Sequence, residues 1–163
     1  MSIQVLILDA IEQRLTSIVE SNGYNDSFLP STIHRASLKP FKNGDLPAVN
    51  FWTGEDTLKD KEYGIDNRQL PVFIEAYTTT RDDNFINTAY TFAADIVQAL
   101  FRSPAAPLMG DVPDASLGGI IDILEVSKIV PVANELDGAW CGVYIELNVL
   151  YKAQLGNFKT FCN

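Results

Sequence analysis

Histidine occurs once and cysteine twice in the 163 residues, as His34, Cys141 and Cys162. A zinc or iron centre of the usual kind gathers several such donors, so metal chemistry has little to start from. Two thiols, one inside an apolar run and one beside the last residue, do not make the disulfide framework of a small secreted protein, and a reducing compartment fits them better. Basic side chains are also short, since 12 Lys and Arg against 21 Asp and Glu leave a formal charge of −9. Such a balance opposes accumulation on phosphate backbones or anionic lipid. No apolar run approaches the roughly 20 residues of a membrane-spanning helix. The opening Met1-Ser2-Ile3-Gln4-Val5-Leu6-Ile7-Leu8-Asp9 has neither a basic leader nor a small-residue cleavage site, so a soluble, intracellular protein is expected. The triplet Asn25-Asp26-Ser27 matches a glycosylation acceptor, a match that chance supplies.

What is present suits a globular fold: 47% hydrophobic, 20% charged and 10% aromatic residues in a length that suits one domain with one core. From Ile3 to about Glu20, Ile3, Ile7, Ala10, Ile11, Leu15 (or Arg14 through its aliphatic stem), Ile18 and Val19 recur at helical spacing. Ser21-Asn22-Gly23 then accepts the left-handed backbone that follows a last turn. Ser31–Lys39 and Leu46–Trp52 read as two strands around Pro40 and Asn43-Gly44, and an antiparallel pair is expected. The stretch Thr53–Arg68 is charged at both signs and follows neither period, so it reads as a long exposed loop.

Gln69–Thr79 is the clearest strand, with Val72, Ile74 and Ala76 on one face and Phe73, Glu75 and Tyr77 on the other, and it reads as central. Thr80–Asp83 resembles a capping box before a second helix on Phe85, Ile86, Ala89, Phe92, Ala93, Ile96, Val97 and Leu100. Ser103–Gly119, broken by Pro104, Pro107, Pro113 and Gly110, reads as a second long loop. Ile120–Val132 and Trp140–Tyr151 are β-rich and flank Asp137-Gly138, the dipeptide of a tight hairpin; Cys141, Val143, Ile145, Leu147 and Val149 alternate so that one face is buried. The order predicts a single-domain α+β fold with two helices packed on one mainly antiparallel sheet of about five strands over residues 1–151, followed by a tail or arm at 152–163.

Signatures of catalysis are thin. His34 on a strand reads as a half-buried or exposed imidazole, and Asp82-Asp83 before a helix read as capping carboxylates that favour its dipole. Glu55-Asp56, like Asp82-Asp83, could be read as acid/base partners or as a hard-cation site, but the bland reading is the stronger, and Cys141 beside Trp140 reads as a small packed hydrophobe without the basic neighbours of a reactive thiol. Trp52 and Trp140 read as core or rim packing. Gly118-Gly119 and Gly138 lack the strand-to-helix context and the Lys of a phosphate-cradling loop. No cofactor is expected.

An amphipathic helix at the start, a second helix after Pro71-Val72-Phe73-Ile74-Glu75-Ala76-Tyr77, and a closing hairpin that ends Tyr144-Ile145-Glu146-Leu147-Asn148-Val149-Leu150-Tyr151 together resemble the tail terminator proteins of long-tailed bacteriophages, the lambda-type minor tail protein U group. The resemblance lies in element order and strand character over residues 1–151, and it carries no catalytic residue. It implies a non-enzymatic virion protein assembled in the host cytoplasm: a homo-oligomeric ring, typically six copies, that binds the tail tube protein, ends tube growth and offers a surface to the head-tail connector protein, with DNA passing through unbound. An acidic ring would let that polyanion slide.

Partner contacts are expected from the two loops, at Glu55, Asp56, Leu58, Lys59, Lys61, Tyr63 and Arg68 and at Leu108 and Met109. Self-association is expected from Leu155, Phe158 and Phe161 in a C-terminal arm that docks on a neighbour, with a frayed tail as the alternative. Two other readings stay open: a head-tail joining or tail-completion protein, and a small cytoplasmic α+β enzyme or ligand-binding domain with the Pro-rich loop as lid over Asp82, Asp83 or His34.

Overall fold

The computed structural model describes residues 2–39, 41, 43–80, 84–102, 113–133, 140–154 and 157–161, with backbone only at 43, 133 and 157–161. In chain order its elements are α1 (Ile3–Thr16), β1 (Ile33–Arg35), β2 (Ala48–Thr53), β3 (Thr57–Glu62), β4 (Ile65–Thr79), α2 (Phe85–Phe101), β5 (Ile123–Ala133), β6 (Trp140–Gln154) and β7 (Asn157–Phe161). The strands make one sheet in the order β1-β2-β4-β6-β5, with β3 extending the β2 side along β4 and β7 pairing with the end of β6. Both helices pack on one face. The α+β expectation therefore stands, with seven strands where about five were expected.

The sheet is built on β4 and β6, which pair antiparallel from Ile65↔Gln154 to Thr79↔Trp140. Each alternates side chains between faces. Leu70, Val72, Ile74 and Ala76 of β4 and Cys141, Val143, Ile145, Leu147 and Val149 of β6 are buried on the same face. Against it lie Ile3, Ile7, Ile11 and Leu15 of α1 and Phe92, Ala93, Ile96 and Leu100 of α2. Each large aliphatic side chain so buried contributes roughly 1.5–3 kcal/mol.

Four expectations are corrected. The first helix ends at Thr16 and not near Glu20: the Thr16 and Ser17 hydroxyls donate to the carbonyls of Glu12 and Arg14, while the Ile18 carbonyl accepts from Phe28 N at 2.9 Å, so Ile18 is spent on a loop contact. β1 and β2 run parallel, Ile33↔Val49 to Arg35↔Phe51, because the connection over 36–47 is long enough to return the chain to the same direction. The stretch Thr53–Arg68 is no loop: β3 and the start of β4 form a hairpin whose turn residues Tyr63 and Gly64 have φ of 45° and 86°. Both signs match a type I′ turn. All six β3 residues are exposed, so no alternation marks the strand in the sequence. Finally, α2 is capped by Asn84, whose side-chain oxygen accepts from Ile86 N and Asn87 N; Asp82 and Asp83 lie outside the described residues, as does the Asp137-Gly138 turn.

Arg14 locks three segments together. It is 2% exposed; it donates to the Leu100 carbonyl at the end of α2, to the Asp114 carbonyl at 3.0 Å and to the Asp114 carboxylate at 2.5 Å. Burial alone would push the Asp114 carboxyl up, but hydrogen bonds from Ser116 and Gly118 N and from Arg14 outweigh it and hold the group down at about 2. Because the folded value lies below the ordinary carboxylate value of about 3.9, this stabilisation is complete above that pH and is lost as pH falls towards 2. Arg14→Met should cost about 3–5 kcal/mol in thermal or urea unfolding, since it strands Asp114 and the Leu100 carbonyl. Asp114→Asn should flatten the acid limb of the stability curve between about pH 4 and 2, and an unchanged limb would contradict the assignment.

Candidate functional site: the helix-free face of the sheet

With both helices on one side, the other parity of every strand faces outward. On β4 this parity places Asn67, Gln69, Pro71, Phe73, Glu75 and Tyr77; on β6 it places Gly142, Tyr144, Glu146, Asn148 and Leu150. Trp52 of β2, paired with Phe73, completes a row across three strands. The Trp52 and Phe73 ring centroids lie 5.8 Å apart, and Phe73 stacks on Tyr144 at 6.1 Å. A second row runs parallel to it: Phe41 lies edge-on to Tyr77 at 5.5 Å, and Tyr77 meets Trp140 at 5.0 Å. These distances are those of attractive aromatic pairs. All six rings are only half-buried.

Gly142 makes the second row possible. It pairs with Tyr77, and a Cβ there would run into the Tyr77 ring and come within 2.6 Å of the Ala76 carbonyl. The absence of a side chain lets the phenol lie down over β6. Its hydroxyl donates to Glu75 Oε1. Glu75 stands opposite Tyr144, and Glu146 opposite Phe73 and Lys128, so two carboxylates are set among the rings. Burial, the hydrogen bond to Glu75 and the charge of Glu75 raise the Tyr77 pKa, and burial with the charges of Glu146 and Glu75 raises that of Tyr144. The face is thus aromatic, with two carboxylates near its centre and Lys128 opposite one of them. It can stack on planar or apolar side chains and pair with cations, the chemistry of a protein-protein contact.

At the far end of β4 stands a separate polar hub. Asp56 Oδ2 accepts from Gln4 Nε2 at 2.7 Å and from the Tyr151 hydroxyl at 2.5 Å, and Oδ1 accepts from Arg68 Nε at 3.0 Å. The same Gln4 amide donates to the Tyr151 oxygen at 3.0 Å, tying the start of α1 to the hairpin root. Buried Asp66 adds a second carboxylate 3.8 Å from Arg68 Nη1, with its Oδ1 unpartnered. Beside the hub a shallow, open depression of about 480 Å³ is bordered by Lys59, Gln69, Glu125 and Leu150.

The sequence-expected residues separate accordingly. Glu55, Leu58, Lys59, Lys61 and Tyr63 are exposed on or beside the hairpin, whereas Asp56 and Arg68 turn inward and hold each other. Leu108, Met109 and Leu155 lie outside the described residues; Phe158 and Phe161 belong to β7, described by backbone only, which pairs with β6 of the same chain. His34 lies with its ring 5.6 Å from that of Phe41, and Cys141 is buried on the helix-packed face. Among the described residues no group of three or more His, Cys, Asp or Glu is placed to hold a metal, and no helix is long and apolar enough to cross a membrane. Sequence reasoning passed over the aromatic rows by reading Trp52 and Trp140 as packing. The available signal was Phe73 and Tyr77 on the face of β4 opposite its buried one.

No protein-family model matches this chain, and no curated protein matches it in sequence. Among solved structures it is similar to a chain from the virion of a native gene transfer agent (GTA) particle, at 11% identity and a TM-score of 0.49, over 89% of this chain and 93% of that one. A likeness so distant carries no argument about function.

The raised phenols give a direct test. Burial and Asp56 raise the Tyr151 pKa, as burial and Glu75 raise that of Tyr77. Groups raised in the fold stabilise it below the ordinary tyrosine value near 10 and lose that contribution as pH climbs through the folded value. In an alkaline absorbance titration, Tyr77→Phe and Tyr151→Phe should each remove one late-ionising phenol. If either variant instead removed an early one, the hydrogen-bonded assignment would be wrong.

Proposed function

We propose that this chain is a structural component of a phage-like particle, acting by assembly and not by catalysis. Copies form a ring that caps the tail tube, denies its terminal subunits another layer and offers a surface to the head connector. The observation that supports this best is the helix-free face, where Trp52, Phe73, Tyr144, Phe41, Tyr77 and Trp140 form two half-exposed rows around Glu75 and Glu146. Tyr and Trp in such a cluster are the anchors that dominate protein-protein contacts. The resemblance in element order to tail terminators supplies the specific role, and the charge of −9 suits a ring through which DNA slides.

A head-tail joining protein would use the same surface, and assembly without the protein separates the two. If this chain is deleted from the phage or prophage that encodes it, electron microscopy should show tubes of uncontrolled length that fail to join heads. Tubes of normal length without heads would point to the joining role. Normal tubes that go on to join heads would overturn the assembly reading.

A further inference from the structure

The β3–β4 hairpin carries an oddity that folding does not explain. Tyr63 sits at φ 45° in the turn and is 108% exposed. A bulky residue is strained in the left-handed region, where Asn or Gly sits with little cost. Strain borne by a side chain that packs on nothing in its own molecule points outward. Around it, β3 exposes both faces: Leu58 is 43% exposed, Lys59 and Lys61 are free of the core, and Asp60 turns its carboxylate back to accept from Lys61 N at 2.7 Å. The hairpin therefore presents Tyr63 and Leu58 together with charges of both signs, Lys59 and Lys61 alternating with Asp60 and Glu62.

The helix-free face offers a counterpart of the same mixed kind, aromatic rings around Glu75 and Glu146 with Lys128 opposite Glu146. One molecule cannot satisfy both surfaces. β4 is a single strand through hairpin and face, so Ile65 at the turn and Glu75 stand roughly 33 Å apart at the usual rise per residue. We propose that the hairpin tip of one copy seats on the helix-free face of the next, with Tyr63 among the Phe73, Tyr77 and Tyr144 rings and Lys59 and Lys61 towards Glu75 and Glu146. The contact joins two different surfaces of the same chain, which is the kind that propagates into a ring when the rotation closes. It rests on the ring reading above and names the surfaces that build the ring.

Sedimentation velocity across a concentration series tests it, with thermal unfolding as the control for folding. Tyr63→Asn installs the Asn-Gly pair that a type I′ turn favours, so the fold should be as stable as before or more so, while self-association weakens by roughly ten-fold or more, the size of a lost anchor. Glu146→Lys should weaken association from the other side. An equimolar mixture of the two variants should stop at a heterodimer, because only one hairpin and one face remain intact. If the wild-type chain associates and both variants associate equally well, the docking is overturned and the ring survives. A wild-type chain that stays monomeric throughout overturns the ring and the docking together.

Discussion

Everything in this fold follows from the pairing of β4 with β6 over their whole length. Two long strands in register set every second side chain on the same side, and from Leu70 to Ala76 and from Cys141 to Val149 those positions on one side are Val, Ile, Leu, Ala and Cys. That surface has to leave water. Two amphipathic helices cover it among the described residues, α1 through its isoleucines and α2 through Phe92, Ile96 and Leu100. Among the described residues no helix covers the opposite side. Large rings lie across the strands there, with Gly142 opening the space in which Tyr77 lies flat. The buried core and the outward aromatic face are two consequences of one alternation.

Polar ties then fix where the helices sit on the sheet. Arg14 joins α1 to the end of α2 and to Asp114; Arg35 joins β1 to Asp9 and Glu12 of α1 while lying over the Phe51 ring; Asp56 joins Gln4 to β4 and β6. At the other end of the sheet the Asp95 carboxylate of α2 accepts from the backbone and side-chain amides of Asn25, and Asp26 accepts from the Thr78 hydroxyl. Apart from the part-exposed Arg35 pairs, each tie satisfies groups whose burial would otherwise cost more than it returns.

Much of this was legible in the residues. The isoleucines of α1, the Val72-Ile74-Ala76 face of β4 and the Cys141-to-Val149 alternation each announce a one-sided element, and burial confirmed them. What stayed hidden lacked a burial signal. β3 is exposed on every residue, so no hydrophobic period marks it, and the Tyr63-Gly64 turn does not use the common Asn-Gly pair. The direction of β1 depends on how the chain travels through 36–47, which periodicity does not encode. The aromatic rows are invisible for a different reason. Trp52, Phe73, Tyr144 and Trp140 come from three strands, and only the register brings them together.

The helix-free face holds both tryptophans of the chain, Trp52 and Trp140. Acrylamide quenching of their fluorescence, measured alongside mass over a concentration series, therefore reports directly on whether that face is where the protein meets its partners. As the chain associates, quenching should fall and the emission should shift to the blue in step with mass. Growth in mass with quenching unchanged would mean that the face stays open to water in the assembly, and would contradict the account.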